Sequence, residues 1–186
     1  MAPTTRVEPA LILLLGGARS GKSRAAVQWA QAVGGDAVTF IATARAGDEE
    51  MAARIARHRA ERPRAWQELE APRGVGRALR GAQHEVILLD CLTLLVANAL
   101  LEEGPEAARA EVEALLQAFH ARKPRLLLVV SNEVGLGIVP DNRLAREYRD
   151  LLGWANQRVR AAAQAAYFFV AGGLIPIAPV PPTPWG

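Results

Sequence analysis

The chain has 186 residues, 51% of them hydrophobic, with one cysteine and a formal net charge of +3, which suffices for one domain around a single core, excludes an internal disulfide and suits a reducing cytosol. No apolar run reaches the ~20 residues of a membrane-spanning helix, so a cytoplasmic protein without a membrane span is expected. All basic residues but Lys22 and Lys123 are arginines, and they are interleaved with acids rather than gathered into a stripe, which argues against nucleic acid as a partner.

Residues 1–9 lack the charged start and cleavage site of a signal peptide and are expected to form a flexible tail. "LILLL" (11–15) reads as a buried strand, followed by a helix from about Lys22 to Val33. "AVTFIA" (37–42) is a second strand and "DEEMAARIARHRAE" (48–61) a helix. "EVILLD" (85–90) is a third strand, leading into the helical "CLTLLVANALLEE". "EAARAEVEALLQAFHAR" (106–122) has helical periodicity and stops before Pro124, and "RLLLVV" (125–130) is a fourth strand. Leu144, Tyr148, Leu151, Ala155 and Val159 share one face of a long helix opened by "PDN". "AAYFFVAG" (165–172) is the fifth strand, and residues 176–186 read as a proline-rich extended tail. Continuous apolar strands separated by helices predict a mostly parallel sheet covered on both faces, within a single α/β domain over 10–175.

The stretch "GGARSGKS" (16–23) satisfies G-x-x-x-x-G-K-[ST] between a strand and a helix. That context defines a phosphate-binding P-loop. Glycines let successive backbone N–H groups turn inward, and the following helix adds its positive end. Lys22 is expected to reach the β- and γ-phosphates, and the Ser23 hydroxyl to take a place on Mg²⁺. Asp90 ends a strand at the sheet edge where such folds bind ligands, as a second magnesium holder, directly or through water. The plainer reading of Asp90 is a cap for the next helix. Cys91 reads as a small buried side chain rather than a nucleophile.

His58 lies seven residues after Met51 and three after Ile55, on their helix face. By spacing alone it is a packed or half-buried histidine. Trp66 could stack on a base, although packing is the simpler role. "SNEVGLGIVPDNR" follows the fourth strand; Asn132 and Glu133 could face substrate or metal, or the segment could only shape the turn and cap the long helix through Asp141 or Asn142.

Taken in order, "GGARSGKSR", "IATA", "DEEMAARIARHRAERPRAW", "LLDCLTLLVAN" and "SNEVGLGIVPDNRLAREYRDLLGWANQRV" resemble the bifunctional adenosylcobinamide kinase / adenosylcobinamide-phosphate guanylyltransferase family of cobalamin synthesis, over residues 11 to 173. The resemblance implies a P-loop NTPase (RecA-like) three-layer fold and a homotrimer. It implies that His58 becomes covalently attached to GMP. It also implies a guanine nucleotide site with phosphates on Gly16, Gly17, Ala18, Arg19, Ser20, Gly21, Lys22 and Ser23, and further contacts at Thr43, Ala44, Arg45, Arg59, Ala60, Glu61, Arg62, Glu70 and Asp90.

Two reactions follow from the resemblance, with GTP and ATP as substrates. The first is phosphorylation of the aminopropanol hydroxyl of adenosylcobinamide, for which the sequence offers no evident general base. The second is transfer of GMP from GTP, through His58, to adenosylcobinamide phosphate. Arg54, Arg57, Arg59 and Arg62 could offset phosphate charge and keep the imidazole deprotonated, or form a solvated face. Three rivals start from the same loop. A small kinase of another alcohol leaves His58 without a task, and a nucleotide-gated binding module would lack the N-K-x-D guanine motif. A DNA-dependent ATPase would want the missing basic stripe.

Overall fold

A computed structural model describes residues 8–180, apart from the Arg54 side chain; the termini expected as tails therefore lie largely outside the described residues. Seven strands and six helices follow in the order β1 (Ala10–Gly16), α1 (Lys22–Gly34), β2 (Val38–Ala42), α2 (Glu49–Ala60), β3 (Gln67–Glu70), α3 (Val75–Gly81), β4 (Val86–Asp90), α4 (Leu92–Glu103), α5 (Pro105–Arg122), β5 (Leu126–Val130), α6 (Arg143–Ala162), β6 (Ala165–Val170) and β7 (Gly173–Pro176). They form one sheet in the order β3-β2-β4-β5-β1-β6-β7, parallel throughout except for β7.

The apolar strands are continuous because both their faces are buried. Leu11, Leu13, Ile87, Leu89, Leu127 and Val129 point into one core, shared with α3 to α6. Leu14, Val86, Leu88, Leu126, Leu128 and Val130 point into the other, under α1. Alternation along each strand thus feeds two layers, giving the three-layer α/β arrangement. At Gly76 of α3 a Cβ would stand 2.6 Å from the Ala114 carbonyl oxygen, so glycine sets the close approach of α3 to α5.

Three elements were not expected. β3, "QELE", is a polar edge strand, pairing among the described residues with β2 alone. α3 is a seven-residue helix in a glycine-rich stretch, its first turn capped by Glu111, which accepts from the Gly74 and Val75 N–H groups at 2.8 and 3.3 Å. β7 turns back on β6 through Ala171 and Gly172, both at positive φ, as a two-residue hairpin whose twist matches its strands requires. The fifth strand accordingly ends at Val170, and order continues through Pro176 to Ile177, whose N–H donates to the Ala166 carbonyl at 2.9 Å.

The register lines up the carboxyl ends that matter. Ala42 stands beside Asp90, Asp90 beside Val130, and Val130 beside Leu14. The P-loop, the end of β4 and the segment after β5 therefore open on one edge, where doubly wound sheets take their ligands.

Candidate nucleotide site

The loop after β1 turns on Gly16, where a Cβ would lie 2.5 Å from the Phe169 carbonyl oxygen, and on Gly21, at φ 99°, which starts α1. Gly17, Ala18 and Arg19 are exposed at its tip, and Ser20 is buried. Lys22 is 7% exposed, and its Nζ donates to the Gly17 carbonyl at 3.0 Å. The lysine is thereby folded back over the loop that precedes α1.

A cleft of about 510 Å³ runs from this loop towards α2 and β3. Lys22, Ser23, Ala44, Arg45, His58, Arg59, Arg62, Glu70 and Asp90 line it, together with Phe40, Met51, Ile55, Glu68, Thr93, Leu94 and Asn132. The structure thus brings nine of the 18 expected residues to one hollow. Met51, Ile55, His58 and Arg62 follow helical spacing onto its wall, so the histidine is half-buried in the cleft rather than in the core.

Asp90 sits on the floor. Burial raises its pKa above the ordinary carboxylate value, although the Ser23 hydroxyl and the neighbouring His58, Lys22 and Arg62 groups act the other way. Beside it, burial and the Asp90 charge push the Cys91 thiol up to about 11. A thiol so disfavoured as thiolate is a packing group, as the sequence suggests.

Arg62 is 7% exposed at its side chain and lies over Phe40. Burial lowers its pKa, opposed by Glu68 and Asp90, although guanidinium stays charged at any working pH. Arg59 is half-exposed and donates to Glu68 through Nε (3.0 Å) and Nη2 (2.6 Å), and to Glu70 through Nη2 (3.0 Å). Those two carboxylates raise its pKa.

Other expected residues stand elsewhere. Thr43 is fully buried; its hydroxyl donates to the Cys91 carbonyl (2.7 Å) and accepts from the Cys91 N–H (2.8 Å). Ala60 is exposed and lines a neighbouring recess with Ala52, Ala56 and Arg64, whereas Glu61 is the exposed C-cap of α2. Arg45 lines the cleft but is ion-paired with Glu102 on α4. Arg57 is exposed, and Arg54 carries no described side chain. Trp66 is 8% exposed, with Nε1 donating to the Gly35 carbonyl, a packing role. Of the alternatives after β5, Asn142 caps α6 by accepting from the Ala145 N–H at 2.7 Å, Glu133 accepts from the Gly135 N–H within its own loop, and Asn132 reaches the cleft.

Sequence reasoning missed Glu68. Its signal was available, since a lone Leu69 between carboxylates in "QELE" is the alternation of a strand with one wet face. Among the described residues no helix is long and apolar enough to cross a membrane, and no group of three His, Cys, Asp or Glu stands ready to hold a metal.

The family described as cobinamide kinase / cobinamide phosphate guanyltransferase matches residues 12–177. Over 167 residues the chain is 46% identical to the bifunctional adenosylcobalamin biosynthesis protein CobP of Pseudomonas aeruginosa, covering 89% of this chain and 95% of that one. It is 40% identical to the bifunctional adenosylcobalamin biosynthesis protein CobU of Escherichia coli, covering 87% and 96%. Among solved structures, the RadB recombinase aligns over 87% of this chain and 74% of its own at 16% identity, with a TM-score of 0.53, a likeness of P-loop NTPase fold alone.

Proposed function

The chain belongs to the cobinamide kinase / cobinamide phosphate guanyltransferase family, and from that premise we propose that it carries out both transfers of adenosylcobalamin nucleotide-loop assembly. It phosphorylates adenosylcobinamide with ATP or GTP. It then moves GMP from GTP through His58 to adenosylcobinamide phosphate, giving adenosylcobinamide-GDP and pyrophosphate. The observation that carries this reading is the presence of His58, Lys22, Ser23 and Asp90 on one cleft.

In the first reaction the terminal phosphoryl group passes to the aminopropanol hydroxyl. Such transfer rests on positioning and charge neutralisation, supplied by the loop amides, the α1 N-terminus and Lys22. The hydroxyl of Ser23 and the carboxylate of Asp90 are adjacent hard oxygen donors, a set that suits magnesium completed by phosphate oxygens and water. These two residues would hold Mg²⁺, which when bound neutralises phosphate charge.

In the second reaction a neutral ring nitrogen of His58 attacks the α-phosphorus of GTP; a P–N bond forms and the P–O bond to pyrophosphate breaks. A phosphate oxygen of adenosylcobinamide phosphate then attacks the same phosphorus, and the imidazole leaves. One difficult displacement becomes two easier ones. Arg62, buried beside the floor of the cleft, offsets phosphate charge. A homotrimer, which the family resemblance implies, is the assembly we propose, and the cytoplasm, which a single cysteine suits, is its setting.

The test is retention of label. With magnesium and GTP labelled in the α-phosphate, the protein should keep an acid-labile, alkali-stable label after denaturation, and His58→Ala should abolish it. Label retained only from γ-labelled GTP would point instead to a kinase of another alcohol.

A further inference from the structure

We infer that Glu68 is a positioning residue for the guanylyl step, its carboxylate gripping Arg59 and Arg62 and thereby holding the last turn of α2 so that His58 faces the nucleotide. This rests on the reading of His58 as carrier and adds a residue that the reading does not contain.

Helix α2 has little else to hold it. Among the described residues, none of α2 belongs to either core cluster, and its N-cap bond, from the Met51 N–H to Asp48, is internal to the helix end. Among the described residues, every side-chain hydrogen bond tying α2 and the two residues after it, Glu61 and Arg62, to another element ends on Glu68 or Glu70. Glu68 takes the larger share. Its Oε1 accepts from Arg59 Nε at 3.0 Å, Arg59 Nη2 at 2.6 Å and, more weakly, Arg62 Nη2 at 3.5 Å. Glu70 accepts one bond, and at 72% side-chain exposure it is far better screened than Glu68 at 27%.

Both anchored residues follow the histidine closely. Arg59 follows it directly, and Arg62 lies one turn beyond it on the same cleft-facing row. Glu68 itself is fixed by its strand, since it stands beside Phe40 in the β2–β3 register, and Arg62 stacks on that same ring. A carboxylate on a rigid sheet edge thus sets the rotation and depth of a helix with no core of its own. Charge matters as well as contact, because bonds to an ionised acceptor are about twice as strong as neutral ones.

The experiment compares Glu68→Gln and Glu68→Ala with the unaltered chain, using α-labelled GTP and backbone amide exchange. Displacement of a reacting group by about 1 Å can cost on the order of 100-fold. We therefore expect Glu68→Ala to lower the labelling rate at saturating GTP roughly 10- to 100-fold, with the half-saturating concentration within about threefold. Glu68→Gln should fall between the two, and amides of residues 57–62 should exchange faster while those of β4 and β5 do not change. An unchanged saturated rate with a raised half-saturating concentration would make Glu68 a direct nucleotide contact and overturn the inference. So would unaltered exchange in α2. If the unaltered chain takes up no label from GTP that it demonstrably binds, the carrier role of His58 falls, and exchange in the two variants still decides whether Glu68 holds the helix.

Discussion

The guanidinium carbon of Arg62 lies 3.7 Å from the centroid of the Phe40 ring. The stacked cation is nearly out of solvent, and its Nε is buried with no hydrogen-bond partner among the described residues. A charge held at such a cost is poor evidence for stability, because apolar replacements of buried ions are often neutral or better. Because Glu68 keeps both bonds from Arg59, Arg62→Met should leave the folding free energy from urea titration within about 1 kcal/mol of the parent. The same variant should label from GTP at least ~10-fold more slowly, the effect of about one lost charged contact. Equal labelling in the two proteins would return Arg62 to a purely structural role.

Much of this arrangement could be read in advance, for physical reasons. β1, β2, β4 and β5 are buried on two faces, so they are visible as unbroken apolar runs; the P-loop is visible because its chemistry fixes both residue types and spacing. β3 has one wet face, and Glu68 on it reads as an ordinary solvated acid until Arg59 is seen beside it. β7 was hidden in a segment read as strand end and tail, because its hairpin is set by Ala171 rather than by a customary Asn-Gly pair. Thr43 was expected as a nucleotide contact, and no periodicity could reveal that its hydroxyl is already engaged.

Gly16 cannot accept a side chain. A Cβ there would meet the Phe169 carbonyl oxygen at 2.5 Å and the Ser20 hydroxyl at 2.9 Å, both well inside contact distance. Either β6 or the loop must shift, so Gly16→Ala should cost roughly 1–3 kcal/mol, the usual scale of local strain. Isothermal titration with GTP should show binding weakened at least ~10-fold, because the amides that cradle phosphate move together. A variant that keeps both stability and affinity would mean that the loop relaxes without consequence.

The pH response of Cys91 follows from its setting. A thiol that ordinarily ionises near 9.0 is pushed up to about 11 by burial and by the Asp90 charge. Its folded value lies above its unfolded one, so the uncharged thiol stabilises the fold below about pH 9. That contribution is lost as pH rises towards 11. Alkylation by iodoacetamide should accordingly be slow at neutral pH and climb tenfold per unit on the alkaline side, long after a free thiol would have levelled off. A rate plateau near pH 9 would contradict the burial that the structure assigns.

Thr43 ties two strand ends together. Its hydroxyl closes both bonds with the backbone of Cys91, while the Asn98 amide donates to its carbonyl at 2.9 Å and to that of Pro72 at 3.0 Å. Thr43→Val keeps the shape and deletes the hydroxyl, leaving the Cys91 N–H next to Asp90 unpaired and the Cys91 carbonyl with the Leu95 N–H at 3.3 Å. Each unsatisfied group costs about 1–3 kcal/mol. Thr43→Ser retains the hydroxyl and loses one methyl, a change on the order of 1 kcal/mol. Chemical denaturation should thus rank the parent first, the serine variant close behind and the valine variant well below. If the serine and valine variants both unfold like the parent and differ from it only in nucleotide affinity, Thr43 is a ligand contact after all, and the tie to Cys91 gives way when the cleft fills.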